Sequence, residues 1–148
     1  MRAAAAGPER YNRRRIRREG GGLVNVLLVG AGGFLGAIAR YLLSGFVQQR
    51  VAGLFPWGTL VVNVVGCFAM GALAELAESR GFLSAEQRAF AVVGVLGGFT
   101  TFSAFGGETL NLARDRDTAL AAMNIGLHLA LCLGAVWAGR VAAHVVWR

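Results

Sequence analysis

Charge is scarce in this chain. Only 16% of the 148 residues are Asp, Glu, Lys or Arg, against 55% hydrophobic residues. Mean hydropathy is +0.54. A soluble domain of this length would need far more charge to cover its surface, so a polytopic membrane protein is the better class. Lysine is absent altogether, and all fifteen basic residues are Arg. Acids are missing from a long stretch: after Glu19 the next is Glu75. Cysteine is limited to Cys67 and Cys132, both within apolar segments, where thiols serve as small packing residues and define no redox compartment. No nucleophile–base pair or metal-ligand set stands out, which disfavours an enzyme.

Seven of the arginines (Arg2, Arg10, Arg13, Arg14, Arg15, Arg17 and Arg18) precede Leu23, so the net charge of +7 is largely a property of the N-terminal segment. These residues form no folded patch with interleaved aromatics, so a nucleic-acid partner is not expected. A juxtamembrane arginine cluster marks the cytoplasmic side and touches anionic lipid. The segment has basic residues ahead of an apolar stretch but no small-x-small cleavage site, which argues against a signal peptide. Residues 1–22 are expected to be a disordered Arg-rich tail, and residues 23–148 a transmembrane domain.

Crossing a bilayer takes about 20 helical residues. Four stretches qualify: Leu23 to Val47, Trp57 to Leu76, Ala85 to Ala113, and Ala119 to Val146. Pro56-Trp57 punctuates the second start, and Ser84-Ala85-Glu86-Gln87 reads as an N-cap with an acid in the first turn. Small residues, with one Met among them, recur at helical spacing: Gly30, Gly33 and Ala37 on the first span, Gly66, Met70, Gly71 and Ala74 on the second, Gly126, Ala130 and Gly134 on the fourth. Packing within the chain accounts for most of them. Four helices are few to bury both their own seams and a site, so an oligomer is expected.

The third stretch contains Gly97-Gly98-Phe99-Thr100-Thr101-Phe102-Ser103-Ala104-Phe105. Adjacent glycines with Thr-Thr weaken a helix at membrane depth, where irregular backbone survives only inside protein or beside a polar cavity. The span is therefore expected to be broken, and the break marks an ion or solute site. Asn63, an amide in the run Leu60-Val61-Val62-Asn63-Val64-Val65, is the other anomaly. An interhelical hydrogen bond and a place on a transport path explain it equally well.

Orientation follows from the arginines. The N-terminal segment, the second loop and the C-terminus share one side with eleven, against four on the other; without the N-terminal segment the sides carry four each. The core alone has almost no orientation preference.

The run Gly30-x-x-Gly33-x-x-Gly36 after Asn25-Val26-Leu27-Leu28-Val29 imitates a dinucleotide-binding turn. That reading needs an acid about 20 residues further on for the ribose, and none is present.

Three motifs in register are more specific. Gly33-x-x-Gly36-Ala37-x-x-Arg40-Tyr41, Gly58-Thr59-Leu60-x-Val62-Asn63-x-x-Gly66-x-Phe68 and Gly97-Gly98-Phe99-Thr100-Thr101-Phe102-Ser103-x-Phe105 together resemble the Fluc (CrcB) fluoride channels. The resemblance covers about Leu23 to Val146. It implies an all-α membrane protein of four transmembrane helices with a broken third helix, paired as an antiparallel dual-topology dimer with two fluoride pores and a central sodium ion. The even arginine count of the core agrees.

By that resemblance Phe102 and Phe105 are stacked pore phenylalanines whose positive ring edges solvate fluoride. Asn63 is a donor in the pore, Thr101 and Ser103 add hydroxyls, Glu108 lies near a mouth, and Arg40 draws anions into a vestibule. A solvated carboxylate at a helix end is an equal reading of Glu108, and snorkelling an equal reading of Arg40. The sodium ligands map to the carbonyls of Gly97 and Thr100. Ala104 stands where the family has threonine. His128 stands where serine completes the pore, and there a neutral imidazole would donate a hydrogen bond while protonation would make conduction pH-dependent.

The implied function is passive export of cytoplasmic fluoride across the plasma membrane, with a second copy or a paralogue as partner. The rival reading is a small multidrug-resistance-type four-helix transporter. Proton-coupled export there needs an acid in the first span, which this chain lacks. A purely structural protein would not need a broken helix, Asn63 and aligned phenylalanines together.

Overall fold

A computed structural model describes residues 8–80 and 83–147, with side chains for residues 22–78 and 83–147. The order is α1 (Pro8–Gln48), α2 (Trp57–Arg80), α3 (Ala85–Arg88), a π-helical stretch (Ala89–Leu96), α4 (Gly97–Phe99), α5 (Phe102–Arg114) and α6 (Thr118–Val146). Four passages are long and apolar enough to cross a membrane: Gly22–Gln48, Trp57–Glu78, Ala85–Arg114 and Thr118–Val146. All four expected spans are therefore present, and the chain is an all-helical multi-pass membrane protein.

The Arg-rich segment departs from expectation. Residues 1–7 lie outside the described residues, but from Pro8 onward the chain is helical and runs unbroken into the first span. Proline suits a first helical position and arginine is a good helix former, so the local sequence supports the extension.

The connections are closed by named polar groups. Gln48, at the end of α1, donates Nε2–H to the Phe55 carbonyl at 3.2 Å and accepts from Gly58 N–H at 3.2 Å, which ties the loop to the start of α2. Ser84 and Gln87 form the full capping box at α3. Asp117 caps α6 by accepting from Leu120 N–H at 3.1 Å. Arg116 takes a left-handed conformation at φ 62°, which lets the chain reverse between α5 and α6.

Two glycine-lined seams set the packing. Along the first, α1 meets the third passage so closely that a Cβ on Gly98 would stand 2.5 Å from the Gly33 carbonyl, and one on Gly94 3.0 Å from Gly32 Cα. Along the second, Gly71 of α2 lies on the backbone of Val136, and Gly139 of α6 on the Phe68 carbonyl. Spans two and four run in the same direction there, closed at one end by Arg140–Glu78 (2.7 Å) and His144–Glu75 (3.0 Å). In a bilayer there is no hydrophobic drive between helices, so close backbone approach is what holds these seams.

The small-residue stripes divide: Gly66 and Gly71 pack within the chain, against Thr100 and Val136, as expected. Gly30, Gly126 and Gly134 face open space, with nothing within 4 Å of a built Cβ. The first seam also uses Gly32, Gly36, Gly94 and Gly98, which the stripes did not include. Periodicity identifies a stripe but not the face it lies on. Gly30 and Gly36, two glycines of the apparent nucleotide turn, sit within a continuous helix, and no strand occurs among the described residues.

Candidate functional site

The third passage breaks at two residues. Thr100 (φ −79°, ψ 157°) and Thr101 (φ −152°, ψ 111°) are extended. The expectation assigned the weakness to the glycines as well, yet Gly97 is helical (φ −63°, ψ −38°). Gly98 serves the approach of α1, while the β-branched threonines accept the extended geometry.

Asn63 holds the break open. Its Oδ1 accepts from Thr101 N–H at 2.8 Å, and its Nδ2 donates to the Thr101 carbonyl at 3.1 Å. A continuing helix would give that Thr101 N–H to the Gly97 carbonyl. Thr101 Oγ1 accepts from Ala104 N–H at 3.1 Å and so caps α5. Asn63 is 7% exposed, so the interhelical bond that explained it is real. An amide nitrogen carries two hydrogens, which leaves one for a further acceptor.

Two hollows meet at Thr101. The first is a cleft of about 720 Å³ whose polar wall includes Arg40, Thr59, Thr101, Ser103 and Glu108. Thr101 and Ser103 hydroxyls lie 3.2 Å apart. One hydrogen bond between two hydroxyls consumes one of their two protons and leaves the other for the cleft. Glu108 is not a freely solvated carboxylate: Oε1 accepts from Thr59 Oγ1 at 2.6 Å, and Oε2 is buried without a partner. Arg40 lines the same cleft, partly exposed.

The second hollow is a cavity of about 270 Å³ between the break, α2 and α6, lined by Asn63, Phe102, Phe105, His128, Cys67 and Cys132 among others. Phe102 and Phe105 rings are 5.3 Å apart and tilted by 55°. The Phe105 and His128 rings are 4.4 Å apart and tilted by 40°. Tilted rings do not stack face to face, and the edge of an aromatic ring is its positive side.

His128 corrects one expectation. Its Nδ1 lies 3.0 Å from the Asn124 carbonyl, and its Nε2 is buried with no partner. A carbonyl only accepts, so in neutral His128 the single N–H sits on Nδ1 and is spent on Asn124. Toward the cavity the neutral ring offers a lone pair, not a donor.

Sequence reasoning brought Asn63, Thr101, Phe102, Phe105 and His128 forward, and these five share one cavity. Arg40, Ser103 and Glu108 belong to the neighbouring cleft. It missed Thr59, the partner of Glu108, and Asn124, which is fully buried and donates to Thr109 Oγ1 at 2.8 Å. Asn124 carries the same signal as Asn63, an amide between Met123 and Ile125. For a hard cation, the Gly97 carbonyl is suitable: its usual helical partner has been diverted to Asn63. Among the described residues no three His, Cys, Asp or Glu side chains gather to hold a metal, so a cation here would rely on backbone oxygen.

A family model described as CrcB-like protein, Camphor Resistance (CrcB), matches residues 27–140. A protein of Opitutus terrae named fluoride-specific ion channel FluC is 52% identical over 119 residues, which cover 79% of this chain and 90% of that protein. Proteins of the same name from Paramagnetospirillum magneticum and Rhodospirillum rubrum are 45% and 44% identical, over 85% and 81% of this chain and 100% and 95% of theirs. The matched span takes in every residue of both hollows, and on this ground the chain belongs to the CrcB family.

Proposed function

We propose that this chain is the subunit of a fluoride-selective channel that lets cytoplasmic fluoride leave down its electrochemical gradient across the plasma membrane. The observation that carries this is the break at Thr100–Thr101, which Asn63 locks open between a cleft of hydroxyls and a cavity lined by Phe102 and Phe105. The relatives' name, fluoride-specific ion channel, supports it.

Fluoride is small and strongly hydrated, so a selective path must replace its water with donors. Arg40 supplies positive field in the wide cleft, where an anion is attracted but not held. The spare hydroxyl proton of Thr101–Ser103 and the second Nδ2–H of Asn63 then take the place of water. Past Asn63 the edges of Phe102 and Phe105 offer weak positive potential without a full charge, so the ion is solvated and still leaves. Ala104 removes one hydroxyl from the cleft wall.

The reading includes an antiparallel dimer, with a second copy or a paralogue. Phe102 is 81% exposed in the single chain, and Gly30, Gly126 and Gly134 leave flat, open helix faces. A partner would cover both. A structural sodium ion would rest on the carbonyls of Gly97 and Thr100 from each copy, neutralising backbone oxygens that the break releases. Its role would be to pin two interrupted helices together, not to be transported.

The test is efflux from liposomes carrying the purified chain alone. Fluoride release with chloride retained is expected; equal release of both ions, or of neither, overturns the reading. Protonation of His128 Nε2 would turn a lone pair into a donor on the path. Efflux at about pH 5 is therefore expected to differ from that at about pH 8, and the difference to vanish in His128→Ser. A flat profile in the native chain refutes that role.

A further inference from the structure

Two thiols that the fluoride path does not use stand in the wall of the aromatic cavity. Cys67 of α2 and Cys132 of α6 both line it, both are free and both are partly buried. The two stand on neighbouring helices in the wall of one cavity of about 270 Å³. The helical register builds this pairing. Four residues on from each cysteine, Gly71 meets the backbone of Val136, so α2 and α6 reach close approach one turn from the thiols.

A third group shares that space. His128, one turn before Cys132, is 6% exposed, and its Nε2 is buried without a partner. Its Nδ1–H is given to the Asn124 carbonyl, which fixes the imidazole tautomer and leaves Nε2 with a lone pair.

We propose that Cys67 and Cys132 form a binding site for a soft, two-coordinate metal ion of the copper(I) or mercury(II) class, and that occupancy closes the fluoride path. Thiolates select soft ions. The described residues bring no three ligating side chains to one point, which suits a linear dithiolate and not the four ligands of structural zinc. Binding breaks two S–H bonds and forms two S–metal bonds. Two protons leave to solvent and no electrons move, so the metal keeps its oxidation state. An ion seated there stands among Asn63, Phe102 and Phe105. Closure rests on the channel reading; binding does not.

The experiment titrates the reduced full chain in detergent with mercuric ion, following thiolate–mercury absorbance and free thiols. One ion per chain is expected to consume both thiols. Cys67→Ser and Cys132→Ser are each expected to bind about a hundredfold more weakly, because a bridged ion gains from two tethered ligands. Two ions per chain, or native affinity in either variant, overturns the site. In vesicles, equimolar mercuric ion is expected to cut fluoride efflux about tenfold or more, and to leave Cys67→Ser/Cys132→Ser at its own metal-free rate. Bridged binding with undiminished efflux overturns the closing role. If the metal-free chain moves no fluoride, the channel reading fails while the stoichiometry still judges the site.

Discussion

Asn63→Asp is expected to suppress fluoride efflux by tenfold to about a hundredfold while the protein still assembles. Aspartate keeps the shape and retains an acceptor for Thr101 N–H, now 2.8 Å from Oδ1. It cannot donate to the Thr101 carbonyl, which Nδ2 now reaches at 3.1 Å. It also removes the amide proton left over for an anion and sets a carboxylate beside the path. A hydrogen bond to a charged group is worth about 1.5–3 kcal/mol, and about 1.4 kcal/mol is a factor of ten in rate. Asn63→Ala makes the complementary case. It leaves both Thr101 backbone groups unpaired at about 1–3 kcal/mol each, so thermal stability should fall along with flux. Fluoride-electrode traces from proteoliposomes, paired with size-exclusion profiles, separate the two effects. Efflux by Asn63→Asp within about threefold of native would show that the amide only staples the break, since a lost donor to a charged ion should cost more.

Phe102→Ile should also lower flux, by about tenfold, with almost no change in melting temperature. Isoleucine is apolar and of similar bulk but has no ring edge, and aromatic edge contacts are worth about 0.5–1.5 kcal/mol. At 81% exposure the Phe102 side chain adds little to the packing of its own chain, so a loss of conduction cannot be blamed on a damaged core. Its neighbour Phe105, between Phe102 and His128, is the more structural of the two rings. Unchanged efflux in Phe102→Ile would remove ring edges from the account. A fall in melting temperature matching the fall in flux would point to dimer contacts instead.

The spans were legible because length and hydropathy leave few alternatives, and the capping box at Ser84 because its spacing has one geometry. The break was legible as an anomaly, but its position was not. Gly97 and Gly98 look like the weak point, whereas Thr100 and Thr101 take the extended angles because Asn63 on another helix captures an N–H. The π-helical stretch at Ala89–Leu96 left no trace in Ala-Phe-Ala-Val-Val-Gly-Val-Leu, which reads as an ordinary buried helix. Its extra residue per turn accompanies the tight seat of Gly94 on Gly32, a tertiary fact. The His128 donor was misjudged for a similar reason: which nitrogen keeps the proton is set by the Asn124 carbonyl.

The first helix has a consequence for assembly. At 41 residues and about 1.5 Å per residue it is a rod of roughly 60 Å, some twice the thickness of the hydrocarbon layer. Its first third, holding Arg10, Arg13, Arg14, Arg15, Arg17 and Arg18, must stand in water. Two identical chains inserted head to tail would raise one such cationic mast on each face of the membrane, and one of the two would have to be threaded across the lipid.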